Sequence, residues 1–400
     1  MRSLVFVAAA ATLSGGLAMA QEVVTEAEFL GGLGPDHVGV RALGEDLARA
    51  EAVRRRATAF GNPRLEFSRE QPADSLRQDT WTLAWAPPID GRRGLARSAA
   101  AFGLEAARER TAFERARLTR DLRKAYADWS LSDQRSAVLA RQLTLVEDLS
   151  RQARQRAEVG EESGLAARRL ELAASEVRGQ HAAAHGERLR AEAMALGWRP
   201  DLAGRKPVLP ELPSPLASLD PAERPDIRAL RVEVRQAELE ARLAGRFWAA
   251  PELLAGWQRL DDRGSAQSGP VVGFAWTAPV FDRNQAGRIE AQKRKEIAEA
   301  RLAVATARTA YEAPALLEAY RTAAAAAADS SRQTGDADRL VEAATASFRA
   351  GEATLTDLLE TLRAVREVRL RAIDLRAAAL GLHRDLEVWM APAAPGGGQR

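Results

Sequence analysis

The sequence contains an internal duplication, and this constrains the fold more strongly than any other feature of the 400-residue chain. At an offset of 191 residues, Trp85 matches Trp276, and Gly160 matches Gly351. A chance origin would supply scattered matches, whereas these keep their order at a nearly constant offset over more than a hundred residues of each copy. The chain is therefore predicted to consist of two similar structural repeats.

Three further segments lie outside the repeats. The first residues combine a positive charge at Arg2, an apolar stretch and a small-residue cleavage site at Ala18–Ala20, which is typical of a secretory signal peptide. Seven prolines between 200 and 225 exclude a continuous helix there and favour an extended linker. In chain order, we predict a signal peptide at 1–20, a first repeat at 21–198, a Pro-rich linker at 199–223, a second repeat at 224–390 and a disordered tail at 391–400.

Each repeat is predicted to have the same order of elements. A helix (37–60 and 224–248) precedes two short strands, and a very long helical stretch follows (about 90–157 and about 283–348). A glycine-containing break then separates this stretch from a last helix of about 36 residues that closes the repeat. Aromatic residues are only 5% of the chain, so we expect long helices with thin cores, built from Ala and Leu with interleaved Arg and Glu.

The two strand pairs are predicted to form hairpins at about 62–86 and 252–277. Apolar residues alternate with polar ones along each strand, and polar turn sequences join the strands. Strands of about ten residues that end in aromatic side chains fit a transmembrane β-barrel. The aromatic residues that we assign to the membrane interface are Trp81, Trp85, Trp257, Phe274 and Trp276. The alternative is a pair of soluble hairpins that pack on a helix bundle.

Four strands cannot close a barrel by themselves. Because open sheet edges are not tolerated in lipid, strands that span a membrane must be pooled between chains. Two copies would give eight strands and a filled interior, and three copies would give twelve strands with some lumen. Physical reasoning therefore predicts an oligomer and leaves its order open.

Composition excludes several classes of function. The chain lacks cysteine, which excludes disulfides, thiol nucleophiles, Cys-based metal sites and a lipoprotein anchor. The net charge is +3 and no basic stripe is present, so we expect no nucleic-acid partner. His181 and His185 are four residues apart, but no zinc-protease glutamate lies between them, and we read them as two exposed histidines. With no catalytic constellation in view, we expect no enzymatic activity, no cofactor and no resident metal.

A sequence motif after the fourth strand carries a family resemblance. The segment 279–287, Pro-Val-Phe-Asp-Arg-Asn-Gln-Ala-Gly, together with the duplicated order of elements, resembles the TolC family of outer-membrane efflux proteins and its CzcC-like, heavy-metal branch. The counterpart in the first repeat, Pro-Pro-Ile-Asp-Gly at 87–91, matches less well. Residues 224–230 also resemble the family's opening of the second repeat.

The resemblance implies a mainly α-helical fold with a membrane β-barrel portion. Three chains would form a homotrimer in the outer membrane of a Gram-negative bacterium, with four strands per chain in one shared barrel that contacts outer-membrane lipid. The helices would form a hollow α-helical barrel in the periplasm. A periplasmic adaptor, also called a membrane fusion protein, and an inner-membrane pump of the RND type would be its partners.

The resemblance also assigns roles to the two helix breaks. The adaptor-docking tips would be formed by Val159 and Gly160 in the first repeat and by Gly351 and Glu352 in the second. Both glycines can also be read simply as residues that end a helix. The cluster Arg151, Arg154 and Arg156 near the first tip is expected to serve docking.

The periplasmic entrance is the second place where the resemblance names residues. Asp357 and Glu360 would line it as acidic rings, although acidic residues also commonly occupy a solvated helix face. The charged pair that locks the entrance in the best-known family member falls on Ala166 and Ala353 here. The lock is therefore absent or built differently, and Arg168 or Arg169 is a candidate for it.

We conclude from the sequence that the chain is a passive conduit of a tripartite efflux system that exports heavy-metal cations. One alternative is a conduit of the same fold for drugs, organic compounds or secreted polypeptides. Another is a periplasmic coiled-coil adaptor, against which the two hairpins and the duplication argue. A secreted hydrolase is disfavoured because no catalytic site is recognisable.

Overall fold

A computed structural model describes residues 22–392, except 33, 35–36, 74–75, 161–162, 217, 247, 249 and 263–264. The predicted signal peptide and residues 393–400 of the predicted tail lie outside the described residues. The chain divides into two compact units. The first unit contains the N-terminal segment up to Gly31 and residues 125–211, and the second contains residues 32–124 and the chain from Leu212 onward.

Helices dominate the described residues. In chain order they are α1 (Glu26–Leu30), α2 (Val38–Thr58), α3 (Arg92–Glu158), α4 (Gly164–Trp198), α5 (Pro225–Ala244), α6 (Gln285–Thr334), α7 (Ala337–Ala350) and α8 (Leu355–Trp389). The strands are β1 (Val23–Val24), β2 (Arg64–Ala73), β3 (Leu76–Trp85), β4 (Lys206–Pro207), β5 (Glu252–Asp262) and β6 (Ser265–Ala275). Single 3-10 turns lie at Pro200–Leu202 and Pro221–Glu223.

Capping residues set the limits of several helices. The Ser163 hydroxyl accepts the Leu165 N–H and begins α4, and Thr354 forms a capping box with Asp357 at the start of α8. Pro225 occupies the first turn of α5, where its missing N–H is harmless. These signals explain why the predicted helix starts agree with the structure to within a few residues.

The second repeat differs from the prediction in its long helical stretch. We expected one continuous stretch over about 283–348, but the chain forms α6 and α7, which are separated at Gly335 and Asp336. The C-cap Gly335 keeps a right-handed helical backbone, with φ of −62° and ψ of −31°. Glycine and aspartate are weak helix formers, so the interruption is a local irregularity in a helical path.

The first unit has a core around Tyr126 of α3. The Tyr126 ring lies 5.4 Å from that of Phe29 and 6.2 Å from that of Trp129. Its hydroxyl lies 2.7 Å from the Val24 carbonyl and accepts the Val208 N–H over 3.0 Å. In this way one buried phenol holds the short parallel ladder of β1 and β4 against α3. Part of the predicted linker is therefore anchored, which its proline content alone did not indicate.

The helical part of the second unit has a core cluster centred on Tyr320. Tyr320, Ala327, Ala379 and Leu386 are buried together, and Leu212, Leu216 and Leu219 of the predicted linker pack against them. The Arg228 guanidinium donates to the Glu109 carboxylate over 2.9 Å and joins α5 to α3. By contrast, no residue of the 21-residue helix α2 is buried.

The strands of the second unit form one antiparallel sheet in the order β2–β3–β5–β6. Each predicted hairpin forms, and the two hairpins are joined by the pairing of β3 with β5. Among the described residues, no helix combines the length and the apolar character needed to cross a membrane.

Candidate functional site

The sheet has one predominantly apolar face. Residues that lie directly opposite each other in an antiparallel ladder point to the same side, so the register identifies the members of each face. The apolar face contains Leu65, Phe67, Trp81, Leu83, Trp85, Leu253, Ala255, Trp257, Pro270, Val272 and Phe274. Nearly all of the large side chains among them are exposed in the single chain. Such a contiguous exposed apolar surface indicates a contact with lipid or protein.

Charged residues limit the apolar face on the side of the hairpin loops. The row after Phe67, Trp81 and Trp257 consists of Arg69, Asp79 and Arg259, with Ser268 on β6. Arg69 donates to Asp79 over 2.6 Å. The apolar band therefore covers the half of the sheet nearer to the helices.

The opposite face carries mostly polar and small side chains. Its members include Arg64, Glu66, Ser68, Glu70, Gln78, Thr80, Thr82, Gly256, Gln258, Gln267, Gly269 and Gly273, with Leu254, Leu260 and Val271 as larger apolar exceptions. One apolar and one polar face are the pattern of a barrel strand between lipid and an aqueous lumen.

The five aromatic residues predicted to lie at the membrane interface occupy two different places in the structure. Trp81, Trp85, Trp257 and Phe274 lie on the apolar face. Trp276 follows β6 and stacks on Trp248, with ring centroids 5.5 Å apart and planes at 9°. Four of the five are therefore brought onto one surface, and the fifth lies at the base of the hairpin.

Both predicted tips end in a left-handed glycine. Gly160, in the first unit, has φ of 81°, and Gly351, in the second unit, has φ of 78°. No neighbouring atom lies within 4 Å of the position that a Cβ would take at either residue. Val159 is 70% exposed beside Gly160, and Glu352 is exposed beside Gly351. Each tip thus presents bare backbone that another chain can approach.

The arginines near the first tip are largely engaged. Arg154 and Arg168 both donate to Glu171, and Arg151 pairs with Asp148. These ion pairs raise the pKa of Arg154 and lower that of Glu171, through the hydrogen bonds between them first. Arg168, a candidate for an alternative entrance lock, is thus held by its own helix, while Ala166 is buried.

The two predicted entrance residues occupy the first turns of α8. The Asp357 carboxylate accepts hydrogen bonds from the Thr354 hydroxyl over 2.6 Å and from the Thr354 backbone N–H over 3.1 Å. These bonds lower the pKa of the Asp357 carboxyl, the hydroxyl contributing most. Glu360 is exposed one turn later. Asp357 therefore has a capping role in addition to any role in a pore.

The sequence did not reveal a charged cluster on α8. Glu387 accepts from Arg384 over 2.8 Å, pairs with Arg123 of α3, and lies 3.3 Å from the His383 ring nitrogen. Burial raises the pKa of the Glu387 carboxyl, but His383 and the two guanidiniums outweigh it, and the net pKa is lowered. Only the three- and four-residue spacings to Arg384 and His383 could have signalled the cluster, because its Arg123 partner is distant in sequence.

The histidine pair was expected to be exposed, and of the two His185 is exposed whereas His181 is half-buried. The rings of His181 and His185 lie 6.1 Å apart on α4. Within the described part of the chain, no group of three or more His, Cys, Asp or Glu side chains is arranged to hold a metal ion.

Comparison with solved structures identifies the fold. The outer-membrane protein VceC from Vibrio cholerae superposes with a TM-score of 0.72 at 15% identity, covering 92% of this chain and 95% of VceC. The CmeC outer-membrane channel of Campylobacter jejuni superposes with a TM-score of 0.67 at 13% identity, covering 99% of this chain and 96% of CmeC. CmeC is an outer-membrane channel and VceC an outer-membrane protein, and both superpositions match the fold of TolC-like channels. The chain has the TolC fold. The fold expected from the family resemblance is thereby confirmed.

Sequence comparison finds similarity to a metal-resistance protein. The nickel-cobalt-cadmium resistance protein NccC of Alcaligenes xylosoxydans xylosoxydans is 27% identical over 307 residues, which cover 72% of this chain. The match spans 65% of NccC, slightly less than two thirds of its length. No protein-family model matches the chain.

Proposed function

We propose that the chain is the outer-membrane channel of a tripartite efflux system and a passive conduit for heavy-metal cations. The observation that carries the proposal is the four-stranded sheet, with its apolar face and its open edges. Within the described residues, β2 and β6 each pair with a single neighbouring strand. A sheet with two open edges is incomplete in lipid, so the strands need partners from other copies.

The helices also favour an oligomer. Helix α2 has no buried residue in the single chain, whereas helices in proteins owe most of their stability to the packing of one face. A second copy that covers α2 would supply the missing burial. Three copies would contribute twelve strands, enough for a barrel with a lumen, and the polar face of each sheet would line it. We therefore propose a homotrimer in the outer membrane, with the helices in the periplasm.

The proposed cargo follows from the relative and the sequence motif. NccC is named for resistance to nickel, cobalt and cadmium, and the segment 279–287 resembles the heavy-metal branch of the TolC family. A conduit need not coordinate its cargo, because the free energy for transport comes from an inner-membrane pump. Divalent cations would then pass through the lumen as hydrated ions.

The two tips are the proposed docking sites for a periplasmic adaptor. Val159 and Gly160 form one tip, and Gly351 and Glu352 form the other. Bare backbone at a left-handed glycine allows a partner helix to approach closely. The adaptor would in turn connect the conduit to a pump of the RND type. Asp357 and Glu360 are proposed to line the entrance close to the second tip.

A growth experiment tests the proposed cargo. Deletion of the chain from its host should lower resistance to nickel, cobalt and cadmium, and a plasmid copy should restore it. Organic dyes and detergents should inhibit both strains equally. Loss of resistance to organic compounds with unchanged metal resistance would overturn the proposal and favour a conduit for organic cargo.

A further inference from the structure

The turn between β6 and α6 exposes two consecutive apolar side chains. Phe281 is 94% exposed, and Val280 is 61% exposed. The equivalent turn in the first repeat, between β3 and α3, exposes Ile89 to 71%. The backbone is alike at these points, since the N–H of Val280 and that of Ile89 each donate over 2.9 Å to the carbonyl two residues earlier. Both repeats therefore display an apolar residue in the turn that follows their second strand.

The polar residues around Phe281 hold the turn in shape. The backbone N–H of Asn284 donates to the Asp282 carboxylate over 2.7 Å, and the Asn284 side-chain amide donates to the Ala244 carbonyl over 2.9 Å. The N–H of Arg283 donates to the Gln285 side chain over 2.9 Å. Each of these bonds stays within the chain, so the turn is fixed without any contribution from the Phe281 ring.

Two backbone features make this turn specific. Asn284 has φ of 58°, a left-handed conformation that asparagine tolerates better than most residues. A Cβ at Gly287 would lie 2.3 Å from Asn284 Oδ1, so a side chain there would displace the Asn284 amide from its bond to the Ala244 carbonyl. The motif that resembles the heavy-metal branch is thus a rigid platform, and what it presents outward is Val280 and Phe281.

The position of the turns indicates what covers these residues. Each turn continues from the end of a strand whose apolar face includes Trp85 on β3 or Phe274 on β6. Arg283 and Arg288, which follow Phe281 by two and seven residues, are exposed. A large apolar side chain next to exposed cations suits the boundary between acyl chains and anionic headgroups.

We propose that Val280, Phe281 and Ile89 insert into the lipid bilayer at its periplasmic boundary and anchor the base of the barrel. The proposal rests on the proposed outer-membrane function. The occupant of this surface is lipid, and a neighbouring copy of the chain is the alternative that the test must separate from it. Three copies would place nine such side chains around the barrel.

The absence of cysteine allows a direct measurement of depth. A nitroxide is attached to Phe281→Cys in the full-length protein reconstituted in phosphatidylethanolamine–phosphatidylglycerol vesicles. Power saturation then measures how often the nitroxide collides with oxygen, which concentrates in lipid, and how often it collides with a water-soluble nickel chelate. Val272→Cys on the apolar sheet face is the control for lipid, and Val159→Cys at the first tip is the control for water. Ile89→Cys repeats the test in the other repeat.

The proposal predicts that labels at 281 and 89 collide at least several-fold more with oxygen, relative to the nickel chelate, than the label at 159. A lipid signal at 272 with a water signal at 281 would overturn the anchor and leave the barrel intact. A label at 281 shielded from both reagents would overturn the anchor in favour of a contact between copies. A water signal at 272 as well would contradict the barrel and the anchor together.

Discussion

Trp81 and Trp257 lie directly opposite each other on β3 and β5, at the junction where the two hairpins of the duplicated chain meet. Phe67 continues the row on β2, with its ring centroid 4.4 Å from that of Trp81. All three side chains are exposed in the single chain. An aromatic row across three strands, bordered by charged residues, is the arrangement expected at a membrane boundary.

The two faces of the sheet should respond differently to charge. Trp257→Arg places a cation on the face proposed to contact lipid, whereas Gln258→Arg places it on the neighbouring polar face. Charge on a lipid-facing strand position near the midplane costs about 2–4 kcal/mol and less near the interface. We expect Trp257→Arg to reduce the heat-sensitive oligomer in outer-membrane fractions severalfold and Gln258→Arg to leave it nearly unchanged. Equal losses would show that neither face is dedicated to lipid.

Close contact between β3 and β5 gives a second prediction. A Cβ at Gly256 would lie 2.1 Å from the Trp81 carbonyl oxygen, whereas nothing lies within 4 Å of that position at Gly269. Gly256→Ala should therefore disturb the strand pair that joins the repeats, and Gly269→Ala on the same face should not. The readout is the temperature at which the detergent-extracted oligomer dissociates. If the oligomers of the two variants dissociated at the same temperature, the close pairing of β3 with β5 would be contradicted.

Substitutions of Gly351 at the second tip can distinguish a role in adaptor docking from a role in ending helix α7. Asparagine tolerates the left-handed backbone of Gly351, but its side chain would obstruct an approaching adaptor. We expect both Gly351→Asn and Gly351→Val to lose metal resistance while the oligomer is retained, which gel analysis of the same membranes checks. Wild-type resistance with Gly351→Asn would mean that the glycine only ends α7.

The Asp357 cap predicts a pH dependence of ion selectivity. The pKa of the Asp357 carboxyl is lower in the folded chain than the ordinary aspartate pKa of about 3.9. The stabilisation from its cap is therefore fully present above about pH 3.9, and it is lost as the pH falls through the lowered pKa. In a Glu360→Gln channel, Asp357 should therefore keep a cation-biased reversal potential in planar bilayers down to about pH 4. Adding Thr354→Val, which removes the hydroxyl, should shift the loss of this bias to higher pH. Identical profiles, or no change with Asp357→Asn and Glu360→Gln together, would argue that these residues do not line the pore.

The sequence was sufficient for most of the secondary structure because the signals that set it are local. Strand alternation and turn residues placed the four strands, and caps such as Ser163 and Thr354 placed helix starts. The interruption at Gly335 was not predicted, since a helical stretch of alanine and charged residues dominates the pattern around it. The order of elements and the segment 279–287 were enough to predict the fold.

Long-range contacts were beyond the reach of the sequence. The pairing of β3 with β5 and the burial of linker leucines against Tyr320 join residues far apart in the chain. The cluster around Glu387 was missed for the same reason. The exposure of Phe281 was also missed, because a motif shows which residues occur together but not which of them bond within the turn and which one is left exposed.

The most direct test of the central claim is the native mass of the mature protein after extraction from outer membranes in a mild detergent. The account predicts a complex of three chains, because each chain supplies four strands with open edges and a helix without buried residues. A monomer released from the cell envelope without detergent would contradict the shared barrel and the conduit built on it.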